Sequence, residues 1–217
     1  MNPCESTPSP RPGGHPINED ALRVEPHPLD PGVLLVALAD GQGGRAGGAR
    51  AAELAVDTAI RLAGLLEPNR LDYHAWPRLL SDADASVAGD PASGFTTLLA
   101  LAVYPDGNLG GAASGDSSLL VLGDGYIDQP TAFQKKNPPV GSGGAVFTHF
   151  ADELDAPWQL VAMTDGVWKY AGWPAVKQLA GELRGQSLIE ALAARARLPG
   201  SGTFPDDFTV AVISSHE

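Results

Sequence analysis

The sequence predicts a globular chain that mixes β-strands with α-helices, on three observations. Its 217 residues are 43% hydrophobic and 18% charged, enough apolar matter for a core and unlike a disordered chain. Two apolar runs, ending at Leu38 and Met163, each lead into an Asp-Gly pair, Asp40-Gly41 and Asp165-Gly166, followed by a helical pattern. Between Gly48 and Leu66, residues Ala52, Ala55, Val56, Ala59, Leu62, Ala63 and Leu66 recur at helical spacing, with Arg50, Glu53, Asp57 and Arg61 opposite them.

In chain order, residues 1–14 are rich in Pro, Ser and Gly and read as a flexible lead-in, with one domain over 15–217. Ala21–Glu25 alternates like a strand that stops near Pro26 and Pro28, and Leu29–Gly32 is a turn. The strand from Val33 delivers Asp40, and the alanine-rich helix ends before Pro68. A second helix lies within Leu71–Val87, interrupted by Pro77. Phe95–Tyr104 and Leu109–Leu122 form a hairpin about Pro105-Asp106-Gly107-Asn108. Ser114-Gly115-Asp116-Ser117 breaks the second arm with residues that strands disfavour, the mark of a bulge or a site. Residues 129–155 read as a loop with a short strand at Ala145–Phe150. Trp158–Met163 is a strand, and Pro174–Leu183 and Ser187–Leu198 are helices separated at Gly185. Thr209–Ile213 is a buried last strand behind Pro205-Asp206-Asp207.

Charge and cysteine content exclude several functions. Lys and Arg number 14 against 26 Asp and Glu, a net charge of −12, which argues against nucleic acid as partner. The lone Cys4 removes a disulfide framework and a thiolate zinc site. No stretch has the length of a membrane span or the pattern of a signal peptide, so the expectation is a cytoplasmic monomer with no membrane partner.

Asp20, Asp40, Asp116, Asp165 and Asp206 all fall at strand ends or strand irregularities. Four carboxylates gathered about 5 Å apart repel by roughly 3 kcal/mol per pair and roughly 20 kcal/mol in total at an effective dielectric of ~20. A domain has only ~5–15 kcal/mol of net stability. Such a cluster must bind cations, take up protons, or not form. With oxygen ligands and no neighbouring His or Cys, the cations that suit it are Mg²⁺, Mn²⁺ or Ca²⁺.

The ordered series Asn18-Glu19-Asp20, Asp40-Gly41-Gln42-Gly43-Gly44, Gly115-Asp116-Ser117, Thr164-Asp165-Gly166 and Asp206-Asp207-Phe208-Thr209 resembles the metal-dependent serine/threonine phosphatases of the protein phosphatase 2C family. The likeness runs from about His15 to Ile213. It implies an α+β fold: a four-layer α-β-β-α sandwich of two central antiparallel sheets flanked by helices. It also implies hydrolysis of phosphoserine and phosphothreonine in proteins by a water activated between two Mn²⁺ or Mg²⁺ ions, with a possible third ion. By the same resemblance, Asp40 bridges the two ions, the Gly41 carbonyl ligates one, and Asp165 and Asp206 ligate the other. Glu19 and Asp20 form an acidic pair near the first strand, Glu19 holding a metal-bound water, and Asp116 serves the third ion.

Three positions depart from that pattern. His15 stands where many relatives carry a phosphate-binding arginine and lacks its bidentate fork, with Arg11 and Arg45 as substitutes. Gln42 stands where many have a histidine proposed as general acid, a contribution of about 10²–10⁴-fold. Ser118 replaces a frequent arginine, and the stretch from Asp116 to Asp165, which usually carries a flap, is short. The competing reading is a phosphatase-like regulatory or binding module with weak or no catalysis. A Ca²⁺-binding structural domain is disfavoured because no EF-hand loop is present.

Overall fold

The computed structural model describes residues 4–13, 17–43, 46–123 and 125–215. Its strands are β1 (Cys4–Arg11), β2 (Asp20–His27), β3 (Asp30–Asp40), β4 (Leu98–Val103), β5 (Asn108–Ser114), β6 (Ser118–Gly123), β7 (Tyr126–Asp128), β8 (Thr148–Glu153), β9 (Gln159–Met163) and β10 (Phe208–Ser215). Its helices are α1 (Gly48–Gly64), α2 (Ala75–Ala88), α3 (Asp165–Ala171), α4 (Trp173–Glu182) and α5 (Gly185–Ala196). One antiparallel sheet runs β1-β10-β9-β6-β7 and the other β2-β3-β4-β5-β8.

Strand alternation builds the layers. Along β3, Val33, Leu35, Ala37 and Ala39 face α1 and α2, while Leu34, Val36 and Leu38 face the opposite sheet. Strand β4 divides the same way, with Leu98, Ala100 and Ala102 toward the helices and Leu99, Leu101 and Val103 toward the inter-sheet core. On the other sheet, Leu160 and Ala162 point inward and Val161 and Met163 outward onto α3, α4 and α5. Both faces of each central strand are buried, which is why these runs read as continuous apolar stretches. The result is the four-layer α-β-β-α sandwich that the resemblance implied. Small side chains on α1 (Ala51, Ala52, Ala55, Ala59 and Ala63) meet the alanines of β3 and β4 and let the helix lie close to the sheet.

Several expectations are corrected. The flexible lead-in over 1–14 does not hold for Cys4–Arg11, which pairs along its length with β10 as an edge strand. Pro8 and Pro10 fall within this edge strand, opposite Ala211 and Thr209. An edge strand leaves alternate residues facing away from its partner, where a missing N–H costs nothing. Strand β2 continues through Pro26, opposite Leu34, also on an edge. Pro77 does not interrupt α2 because it lies in the first turn, where no intrahelical acceptor awaits its N–H. The strand placed at Ala145–Phe150 forms instead at Thr148–Glu153, paired with β5. The second hairpin arm is two strands, because β5 and β6 belong to different sheets and Gly115-Asp116-Ser117 is the crossing between them. Gly115 has φ +121°, so only glycine makes that crossing without strain.

Asp84 on α2 is buried, and its carboxylate accepts hydrogen bonds from the backbone N–H groups of Gly141, Gly143 and Ala145 at 2.6, 3.2 and 3.0 Å. Those three groups have no ladder partner, so one charged side chain supplies the acceptors for an irregular loop. Asp84→Ala is expected to cost about 3 kcal/mol, since buried donors are left unsatisfied. Urea unfolding of the variant against wild type measures it, with Asp84→Asn losing less.

Candidate metal centre

The antiparallel ladders bring the acidic positions to one end of the sandwich. Asp20 opens β2 and pairs directly with Asp40, which closes β3. Asp165 follows β9, and Asp206 precedes β10, the strand beside it. Asp116 lies in the crossing between sheets. One carboxylate oxygen each from Asp40, Asp116 and Asp165 lies within 4.8 Å of the others. These three residues and Asp206 line a pocket of about 500 Å³, together with Gln42, Gly43, Thr96, Thr97 and Lys136.

Asp40 is fixed through its backbone. Its N–H donates to Thr97 Oγ1 at 2.9 Å, and its carbonyl accepts from the Thr97 N–H at 2.9 Å and from Thr96 Oγ1 at 2.8 Å. Thr97 Oγ1 also lies 2.7 Å from Ser117 Oγ, tying the end of β3 to the Asp116 crossing. The two Asp-Gly pairs share a steric cause. A Cβ on Gly41 would stand 2.5 Å from the carbonyl oxygens of Glu19 and Gly48, and a Cβ on Gly166 would stand 1.8 Å from the Asp207 carbonyl oxygen. Each glycine lets one strand end pass against a neighbouring backbone, which packs the acidic residues together.

The remaining predicted residues take distinct places. Asp20 is buried behind Asp40, where its Oδ2 accepts from Thr164 Oγ1 at 2.9 Å. Glu19 stands outside the three-carboxylate group, with its Oε2 beside Gly43 at the pocket wall. Asp206 lines the pocket but is not one of the three closest carboxylates. His15 and Arg45 lie outside the described residues. Arg11 does not line the pocket; its Nε donates to Ser9 Oγ and its guanidinium stands 5.9 Å from the Phe208 ring centroid. Ser118 is buried, within hydrogen-bond distance of Thr131 and Gln129.

Sequence reasoning missed the residues that hold the acidic set in place. Thr96, Thr97 and Thr164 fasten it, and Asp207 accepts from the N–H groups of Gly13 and Glu19 at 2.6 and 2.7 Å, drawing the first motif onto the last. Lys136 Nζ lies 2.5 Å from Asp116 Oδ2 and Lys169 Nζ lies 3.4 Å from Asp165 Oδ2. Only Lys169 carried a signal, being four residues after Asp165 at the start of a helix.

Crowding and burial show in the protonation of the site. Burial first, then Asp20, Asp165, Asp116 and Asp206, push Asp40 up to about 9. Burial also pushes Asp20 up to about 7, against hydrogen bonds from Thr209 and Thr164 that favour its charged form. Asp165 is raised by burial and by Asp116, with Lys169 opposing. Carboxylates that resist ionisation because they are buried beside one another fit a divalent cation, whose charge offsets both costs. The donor set is all oxygen, and no His or Cys lines the pocket among the described residues, which suits Mn²⁺ or Mg²⁺ over zinc.

A two-sheet sandwich with helices on both faces and carboxylates from several strand ends in one pocket is the architecture of a metal-dependent phosphatase. The family model described as protein phosphatase 2C matches residues 14–195, and the chain belongs to that family. Solved structures with the same fold include the catalytic domain of the serine/threonine protein phosphatase PstP in complex with two manganese ions, at 20% identity and TM-score 0.76 over 99% of both chains. Serine/threonine phosphatase Stp1 from Staphylococcus aureus superimposes at TM-score 0.76 and 17% identity, over 98% of this chain and 95% of that one. RsbX in complex with magnesium does so at TM-score 0.76 and 12% identity, over 98% and 96%. No curated protein sequence matches the chain.

Two measurements test this description. A folded carboxylate held above its unfolded value keeps a proton that the unfolded chain releases, so stability falls as pH rises between the two values. Metal-free protein is therefore expected to lose thermal stability from about pH 4 upward, the Asp20 contribution ending near 7 and the Asp40 contribution near 9. In Asp40→Asn the decline between pH 7 and 9 is lost, and saturating Mn²⁺ removes most of the decline in wild type; melting curves across pH with and without chelator check both. Separately, Gly166→Ala is expected to destabilise by about 3 kcal/mol or more, as overpacking against backbone does, read by urea unfolding.

Proposed function

We propose that this phosphatase hydrolyses phosphoserine and phosphothreonine esters in proteins at the pocket between Asp40, Asp116 and Asp165. The observation that carries the reading is the approach of those three carboxylates within 4.8 Å at the mouth of the inter-sheet crossing. In this reading Asp40, the Gly41 carbonyl, Asp165 and Asp206 would hold two divalent ions, Asp40 being shared between them as the resemblance implies. Asp116 would offer a further ligand, and Glu19 and Asp20 would support the set from the start of β2. Bound Mn²⁺ or Mg²⁺ supplies an acidified water and neutralises charge on the phosphoryl group. The chain's own part is to hold the carboxylates rigidly. Strand ends fix Asp40 and Asp20, Thr96 and Thr97 lock the Asp40 peptide, and Thr164 orients Asp20.

Gln42 lines the pocket as a neutral amide, able to donate a hydrogen bond to an ester oxygen but not a proton. Cys4 has no role, since direct attack by water needs no protein nucleophile. His15 is assigned to substrate phosphate on the resemblance alone. We read the substrate-binding unit as one domain, extended at its start by β1, acting as a cytoplasmic monomer without nucleic-acid or membrane partners. In support, the charge is −12 and no described helix is long and apolar enough to cross a membrane.

The deciding assay follows hydrolysis of a small aryl phosphate and a phosphothreonine peptide with Mn²⁺ and with chelator. Activity is expected to require Mn²⁺ and to fall about 1,000-fold or more in Asp40→Asn, the loss of several kcal/mol of charge stabilisation. Wild type that binds Mn²⁺ and hydrolyses neither substrate would establish the non-catalytic module instead.

A further inference from the structure

Among the described residues lining the pocket, Lys136 is the only Lys or Arg. Its surroundings hold it there. The Lys135 carbonyl accepts from the Gly115 N–H at 2.7 Å and from Ser114 Oγ at 3.2 Å, and Gln134 Nε2 donates to the Ser117 carbonyl at 2.5 Å. On the other side, Thr96 and Val140 exchange backbone hydrogen bonds at 3.0 and 3.2 Å, and Asp84 grips Gly141, Gly143 and Ala145. The segment is thus stitched at both ends onto the crossing that carries Asp116 and onto the end of β3. The Lys136 ammonium reaches Asp116 Oδ2 with one N–H and has two donors left over an open pocket.

We propose that Lys136 is a ligand of the substrate's phosphate group, a role that rests on the phosphatase reading above. An ammonium shared between a carboxylate and a phosphate oxygen is chemically ordinary, and the two anions differ in what competes for them. Were Asp116 to hold a divalent cation, the ammonium would lose its partner and keep its donors for an anion in the pocket that Lys136 lines. Lys169 pairs with Asp165 but does not line the pocket, so it has the counter-ion part without the substrate part. The same geometry makes Lys136 a competitor of any cation that uses Asp116.

The test uses full-length protein and the variants Lys136→Gln and Lys136→Arg. Binding of inorganic phosphate to Mn²⁺-saturated protein is titrated calorimetrically, as is binding of Mn²⁺ itself. Lys136→Gln is expected to weaken phosphate binding about tenfold, or 1.4 kcal/mol. It is also expected to tighten the weakest Mn²⁺ binding several-fold, and to raise KM for a phosphothreonine peptide by more than it lowers kcat. Lys136→Arg keeps phosphate affinity near wild type. Unchanged phosphate affinity in Lys136→Gln overturns the proposal, and so does a change in Mn²⁺ affinity alone, which marks a residue that only neutralises Asp116. Should wild type prove inert toward phosphopeptides while Lys136→Gln still loses phosphate affinity, the catalytic reading fails and the phosphate site stands.

Discussion

Repulsion between carboxylates is the constraint that the rest of this molecule answers to. Ionising Asp40 is costly, first because it is buried and then because Asp20, Asp165, Asp116 and Asp206 surround it. The fold meets this in ways that can be named residue by residue. Asp40 keeps its proton well above neutral pH, Lys136 sits on Asp116, Lys169 sits on Asp165, and Thr164 donates to Asp20. These arrangements lower the net negative charge of the cluster. Asp40, Asp116 and Asp165 are thus each protonated or paired, and in the proposed reading a divalent cation would take the place of those arrangements.

The architecture makes such crowding reachable. Two antiparallel sheets pressed face to face have strands ending at the same level, so residues far apart in the chain meet at one rim. The chain passes from one sheet to the other at Gly115-Asp116-Ser117 on that same rim. Glycine at 41 and 166 removes the side chains that would keep the strand ends apart, and the hydroxyls of Thr96 and Thr97 bind the Asp40 peptide from the neighbouring strand. Rigidity follows from the backbone and from short side chains, which lose little conformational freedom when they are ordered.

How much of this was legible in the sequence depended on whether the cause was local. The strand-turn-helix units at Asp40 and Asp165 read correctly because an apolar run, an Asp-Gly pair and a helical period are all contiguous. The disfavoured residues at Ser114–Ser117 marked a break, but that the break joins two sheets is a fact of pairing, which no window of sequence contains. Strand β1 was hidden by prolines, since composition says where an N–H is missing and not which way it points. Asp84 and Lys136 were invisible for a related reason. Their partners lie 57 to 61 and 20 residues away, whereas the four residues between Asp165 and Lys169 match a helical period that a sequence reading can use.

A net charge of −12 opposes, at long range, a substrate that carries a dianion. Screening resolves the conflict. At physiological ionic strength the Debye length is about 8 Å, so exposed carboxylates beyond that range contribute little to the potential a phosphate meets in the pocket. What counts is the charge within one such length, and there the balance is set by Asp40, Asp116, Asp165 and Asp206 against Lys136, Lys169 and whatever cations the carboxylates hold. In the proposed reading, an acidic surface with a site that gains positive charge only when loaded would make phosphate binding conditional on metal. The carboxylates that would repel the substrate would then be the groups that recruit the charge to bind it.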